Sequence, residues 1–300
     1  MKILVLGCPE EAHARHMGQA LRAAGASVNY LDTTQFPARL RLSWCPQTAE
    51  GTLCFESGDR LSLRDIHSVF WRSLGEPAIA PLDPALQPVA RQDAASLLRS
   101  LIRACPARWV NSWRAYDFHK EKPRQLQRVH ALGIPIPETL VTNDPQEVLA
   151  FAQRRDRLIF KPVYGGAHTR QLTPEHLDAA RLRHVLGLAP VTLQTYIPGT
   201  NLRTYVVEDA VYAAEIRSAA LDFREDAQAE LIPVALPEAA QRQCVAIARA
   251  LGLTWTAIDW RQPPDGDWVF LEANPSPMFL FFEQRTGYPI TQALVETLTR

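Results

Sequence analysis

Three hundred residues exceed one compact core and fall short of three full-size ones, so two or three units are expected. With 47% hydrophobic and 21% charged residues, the composition excludes global disorder, and 32 basic against 32 acidic residues lack the footprint of a general nucleic-acid or anionic-membrane binder. No apolar run approaches the roughly 20 residues of a membrane span, and five scattered cysteines without a C-x-x-C pair argue against disulfides and a thiolate zinc site, making a reducing cytosol the expected compartment.

In chain order, residues 3–7 are a short apolar run ending in Gly7, too short for a signal peptide and predicted as a buried strand. A helix over 10–24 with a stop at Gly25, then a strand over 28–31, predict a βαβ unit of a parallel sheet. The turn Gly7-Cys8-Pro9-Glu10 is not G-x-G-x-x-G, so no dinucleotide fingerprint accompanies it. Residues 51–63 alternate as a hairpin around Ser57-Gly58-Asp59, 69–72 reads as a strand, and 91–104 has helical spacing. The first unit is expected to span 1–106.

The second, 107–190, opens on Trp109-Val-Asn-Ser-Trp113. A helix over 120–132 stops at Gly133, because Pro135 and Pro137 forbid its continuation. A strand at 139–142, the cap Asn143-Asp-Pro145, a helix to 152 and a strand at 157–161 follow, then a glycine loop at 163–168. The third unit, 191–300, has predicted strands at 191–197, 202–208, 210–217, 254–260 and 267–273, and helices at 237–250 and 289–298. No internal repeat or flexible linker interrupts it.

Of the 32 basic residues only Lys2, Lys120, Lys122 and Lys161 are lysines; the other 28 are arginines. A lysine kept against such a bias is a candidate for a site needing a compact point charge, set against chance survival on a wet surface. Lys161 ends an apolar strand before Gly165-Gly166, where a point charge and backbone N–H groups can meet phosphate. There is no Walker A pattern, and no G-x-S-x-G elbow.

The strongest constellation is Asp259 with Glu272 and Asn274. Two apolar strands joined at Pro263-Pro-Asp-Gly266 form a predicted hairpin that places Asp259 and Glu272 near opposite ends of one pairing, and Glu272 and Asn274, two apart, share a face. Hard oxygen donors suit Mg²⁺; the alternative is a pair of solvated strand ends. Arg203, Arg217 and Arg224 taken singly read as solvated arginines. His13 and His16 read as a surface pair without a third metal ligand, Cys8 as structural, and 279–282 as core or pocket wall.

In order, these residues resemble an ATP-grasp ligase, and more closely the graspetide (microviridin-type) peptide ligases than the related RimK-like glutamate ligases. The stretches are Lys122-x-x-Gln-Leu126, 133–139, 142–145, Phe160-Lys-Pro162, Gln194-Thr-Tyr-Ile197, Asn201-Leu-Arg203, Asp222-Phe-Arg224, Asp259, 270–274 and Glu283-x-x-Thr-Gly-x-Pro-Ile290. Phe70-Trp-Arg72 is similar to a Trp/Arg strand of the same ligases. The resemblance implies an α/β ATP-grasp fold with a Rossmann-like N-terminal lobe, a small central α+β lobe and a C-terminal α+β lobe carrying the metal site.

It also implies roles. Lys122 and Lys161 would contact ATP phosphates, and Gln194, Thr195, Tyr196 and Ile197 would form the hinge against the adenine. Asn201 would meet the ribose, Arg203 and Arg217 phosphates or an acyl-phosphate, and Arg224 the acceptor or triphosphate. Mg²⁺, with Mn²⁺ an alternative, would be held by Asp259, Glu272 and Asn274. Thr195 and Asn201 stand where the family has acidic residues. The implied reaction is ATP-dependent carboxylate–amine or carboxylate–hydroxyl ligation through an acyl-phosphate, crosslinking side chains of a precursor peptide. A RimK-like ligase adding a free amino acid and a non-catalytic peptide-docking protein are the alternatives. Neither nucleic acid nor membrane is an expected partner, and a homodimer stays open.

Overall fold

A computed structural model describes residues 1–81, 83–164, 168–218, 228–264 and 266–300. They divide into two compact units, one of Met1–Tyr116, Leu253–Trp255 and Ser276–Arg300, the other of Asp117–Gly252 and Thr256–Pro275.

The first unit starts as its apolar run requires. β1 (Lys2–Leu6) is central in a parallel sheet, with β2 (Ser27–Leu31) on one side and β6 (Ile66–Trp71) on the other. Ile3, Leu4, Val5 and Leu6 are buried, as a strand covered on both faces demands. α1 (Ala12–Ala23) makes the crossover; Glu11 caps it by accepting from the Ala14 N–H at 2.7 Å, and Ala14, Met17 and Leu21 form its buried face. β3 (Arg41–Cys45), β4 (Glu50–Cys54) and β5 (Arg60–Ser62) make a separate antiparallel sheet that includes the expected hairpin. α2 (Gln87–Ala104) begins earlier than its periodicity predicts because Pro88 is tolerated in a first turn. β7 (Arg108–Val110) completes the order β2-β1-β6-β7, and α3 (Trp113–His119) carries the chain out.

The second unit holds two sheets. α4 (Lys122–His130) leads to β8 (Thr139–Thr142), α5 (Pro145–Gln153), β9 (Leu158–Pro162), β10 (Arg170–Gln171), α6 (Ala179–Leu188) and β11 (Val191–Thr195). The strands order as β10-β9-β11-β8, all antiparallel. β12 (Thr200–Val207), β13 (Ala210–Arg217), β14 (Glu230–Pro233), α7 (Glu238–Ala250), β15 (Trp255–Gln262) and β16 (Val269–Asn274) build the larger sheet, order β14-β13-β12-β15-β16. Cys244 and Ile247 of α7 are buried where the helix meets β12 and β13. The indole N–H of buried Trp260 donates to Thr204 Oγ1 at 3.0 Å.

α8 (Leu280–Thr286) and α9 (Ile290–Thr299) then rejoin the first unit, where Ile290, Leu294 and Leu298 are fully buried. Of the segment 191–300, residues 253–255 and 276–300 thus fall in the first unit and the others in the second, and 107–116 also fall in the first.

His13 and His16 are not the surface pair their spacing suggests. The His13 ring lies 5.2 Å from the Phe279 ring and is buried, and His16 Nε2 meets Thr291 Oγ1 at 2.8 Å. Of the aromatic cluster, Phe279 and Phe282 are core whereas Phe281 is exposed. Arg72, at the end of β6, donates to the Ser276 carbonyl and hydroxyl at 2.9 Å and to Glu11 at 3.1 Å.

Candidate functional site

The hairpin of β15 and β16 brings the metal candidates together rather than to opposite ends of the pairing. Asp259 stands directly opposite Glu272 across the ladder, and Asn274 is opposite Ala257 on the same face. The Asn274 amide donates to Glu272 Oε1 at 3.2 Å.

Each carboxylate is held by a cation from a neighbouring element. Arg203, on β12 beside β15, grips Asp259 with two parallel bonds of 2.7 and 2.8 Å. Burial works against the Arg203 charge, but Asp259 outweighs it and raises the pKa. Lys122, in the first turn of α4, donates to Glu272 Oε2 at 2.6 Å. Burial pushes the Glu272 carboxyl up; Lys122, then Lys161 and Asn274, overcome it and bring the pKa down to about 2. Glu272 is thus ionised at neutral pH, the form a cation needs. Among the described residues no cluster of three His, Cys, Asp or Glu could hold a metal. The donor set available is instead two carboxylates and a carboxamide on one face, and hard oxygen ligands of this kind fit Mg²⁺.

Lys161 lies on β9 opposite Thr192 of β11. Lys122, Lys161, Val141, Val163, Thr192 and Glu272 line one narrow pocket, so two of the four lysines share it with Glu272. A roomier apolar cavity against α6, holding Phe160 and Leu193 of the same sheet, contains no carboxylate and lacks this chemistry.

The hinge candidates leave β11 as a braced segment. Gln194 is buried; its Nε2 donates to Thr139 Oγ1 at 3.0 Å, while its Oε1 is buried without a protein partner, an acceptor open to a ligand donor. Thr195 and Tyr196 donate backbone N–H groups to the carbonyls of Glu138 and Arg157, each at 3.0 Å. The Arg157 guanidinium stacks 3.6 Å from the centre of the Tyr196 ring. Arg261 donates to the Ile197 carbonyl at 3.0 Å, Asn201 Oδ1 at 2.7 Å and the Tyr196 hydroxyl at 3.2 Å. Asn201, expected at the ribose, is thus tied to Arg261.

Arg217 does not join this cluster: it sits at the exposed end of β13, paired with Glu215 at 2.8 Å. Arg224 lies outside the described residues.

Sequence reasoning gave no role to four residues. Arg157 and Arg261 brace the hinge, and Gln125 bonds the backbone of Ala273 between Glu272 and Asn274. His119 is pulled down to about 4 by burial, then by Lys122. Gln125 stands in the Lys122-x-x-Gln-Leu126 stretch, and its place beside the site could have been read there, since it follows Lys122 by one helical turn on the same face. Arg261 could not be found by alternation, because the register shifts between Asp259 and Trp260.

No family model matches the chain. A probable alpha-L-glutamate ligase 1 of Shewanella baltica is 28% identical over 194 residues, which are 60% of this chain and 64% of that protein. The match therefore spans less than two thirds of that curated relative. Among solved structures, the ATP-grasp ligase PsnB complexed with a phosphomimetic variant of its minimal precursor, Mg and ADP is 31% identical, with a TM-score of 0.86 over 99% of this chain and 97% of that one. The macrocyclase MdnC of Microcystis aeruginosa MRC, bound with precursor peptide MdnA, is 25% identical, with a TM-score of 0.87 over 100% of this chain and 99% of that one. A RimK domain ATP-grasp protein of Sphaerobacter thermophilus is 16% identical with a TM-score of 0.63 over the full length of both chains, a likeness of fold alone.

Proposed function

Because the chain belongs to the ATP-grasp ligases, we propose that it activates a carboxylate with ATP and joins it to an amine or hydroxyl, both groups borne by a precursor peptide. The observation that carries this reading is the convergence of Lys122, Lys161 and Arg203 on the face holding Asp259, Glu272 and Asn274. PsnB and MdnC, which match nearly the whole chain, are each described with a precursor peptide bound, which supports a peptide substrate here.

In this reading Lys122 and Lys161 hold phosphate oxygens, and Asp259, Glu272 and Asn274 hold Mg²⁺, with Mn²⁺ an alternative. When bound, the metal offsets the negative charge that gathers as the γ-phosphoryl group is transferred. Gln194 and the backbone of 195–197 receive the base, with the orphaned Gln194 Oε1 facing a ligand donor. Arg157 and Arg261 keep that segment rigid, so base binding loses little ordering entropy. Asn201, already bonded to Arg261, contributes a neutral contact where a carboxylate would add charge. The substrate carboxylate attacks the γ-phosphate and ADP leaves; the amine or hydroxyl then attacks the acyl-phosphate and phosphate leaves. Arg217 would stabilise the acyl-phosphate after exchanging Glu215 for it, and Arg224 would meet the acceptor. The division into lobes 1–106, 107–190 and 191–300 stands as a proposal of the same kind.

No helix among the described residues is long and apolar enough to cross a membrane; we place the protein in the cytoplasm, acting without nucleic acid or lipid, as a monomer or homodimer. The test incubates it with ATP, Mg²⁺ and a candidate precursor peptide under mass spectrometry. Loss of one water per crosslink in step with ADP release is expected. Incorporation of free glutamate would instead favour the reading that the Shewanella relative suggests. Nucleotide binding without either product would leave a docking protein.

A further inference from the structure

The geometry points to Gln125 as the residue that positions Glu272 and Asn274 for metal, and we propose that role for it. The inference rests on reading those two residues as metal ligands. Among the described residues β16 is an edge strand of its sheet, with no neighbouring strand on one side of its backbone. Ala273, between the two ligands, directs its N–H and C=O to that open side, and the buried Gln125 carboxamide takes both. Its Nε2 donates to the Ala273 carbonyl at 3.0 Å, and its Oε1 accepts from the Ala273 N–H at 2.9 Å. A side chain thus imitates one residue of a missing strand.

Further along the same edge, the Phe270 N–H donates to the Pro135 carbonyl at 2.8 Å. Gln125 sits one turn after Lys122 on α4, so one helix face grips both the Glu272 carboxylate and the backbone beside it. An unanchored edge strand can pivot about its own axis, and a pivot at Ala273 would swing both flanking side chains off a common point. Removing an outer partner of this kind commonly weakens metal binding by about 10- to 100-fold.

The test uses Mn²⁺ as the probe, followed by electron paramagnetic resonance with ADP present, on the wild-type chain, Gln125→Met, Gln125→Asn and Glu272→Gln. Gln125→Met should weaken Mn²⁺ binding about tenfold. Gln125→Asn, which keeps both polar groups but reaches less far, should fall between it and the wild type. Thermal melts of the same samples separate this from general damage, since a merely structural role lowers the melting temperature without moving the Mn²⁺ midpoint. Folded Gln125 variants that bind Mn²⁺ like the wild type overturn the proposal while leaving the ligands standing; should the Met variant not fold, the Asn variant decides. If the wild type binds no Mn²⁺, or Glu272→Gln binds it equally well, the ligand reading itself fails and the proposal goes with it.

Discussion

Glu272 illustrates how two opposed effects on one carboxyl are settled by a contact. Burial alone would neutralise it, yet Lys122 at 2.6 Å and the nearby Lys161 keep it charged. Glu272→Gln removes the charge but keeps the shape, so the fold should persist while ATP turnover drops at least about 100-fold; near-normal ADP release would undo the site assignment. Lys161→Ala should weaken nucleotide binding, whereas Lys2→Ala, which breaks only an exposed pair with Asp65, should not. Equal effects on nucleotide affinity would mean that lysine scarcity carried no information. In the first unit, burial and then Arg72 lower the His13 pKa below its ordinary 6.5, against the pull of Glu11. A depressed pKa means that the neutral ring is the folded form. Its stabilisation is complete above pH 6.5 and is lost as pH falls below it. His13→Gln should therefore lose less stability than the wild type between about pH 7 and about pH 5. Parallel losses in urea unfolding would rule that out.

At the scale of elements, Arg261 joins β15 to the segment after β11 by two bonds and to Asn201 of β12 by a third. Arg261→Met should raise the ATP concentration for half-maximal turnover about tenfold, equivalent to about 1.4 kcal/mol, with kcat changed less. Steady-state kinetics would reveal instead a fall in kcat alone if the hinge reading is misplaced. The elements that sequence reveals best are those with local causes. β8 ends where Asp144 accepts from the Gln146 N–H at 2.8 Å and starts α5, a cap readable in three residues. Likewise the hairpin of β15 and β16 follows from two apolar runs and a turn, whereas the direct pairing of Asp259 with Glu272 does not, because the register shifts between Asp259 and Trp260. β14 and α6 were not legible: Glu230–Pro233 is short, and the Ala179–Leu188 helix buries only Leu182 and Leu186. The bidentate hold of Arg203 on Asp259 was invisible for another reason, since strand order within a sheet is not written in local periodicity.

At the scale of the whole molecule, the last helices belong with the first strands. Leu294→Ala in α9 should cost the first unit about 2–5 kcal/mol, because Leu294 is fully buried there. If the proposed nucleotide site in the second unit is right, nucleotide affinity should stay unchanged, and calorimetry with a binding titration on one sample checks both. A large loss of nucleotide affinity would show that this division of the chain misplaces residues 276–300. This return was unreadable from sequence because it depends on contacts between residues more than two hundred positions apart, such as Ser68 Oγ with the Leu298 carbonyl at 2.7 Å. The two chain ends of the second unit are themselves clasped, for Lys122 and Gln125 near its start bind Glu272 and Ala273 near its finish. The chain from 117 to 275, which separates the first unit's Tyr116 from its Ser276, is therefore a loop tied near its own ends. The chain entropy of closing so long a loop, which grows with the logarithm of its length, is then borne by the second unit's own contacts. A ligand that tightens that clasp would hold closed the loop that the first unit's chain must otherwise close for itself.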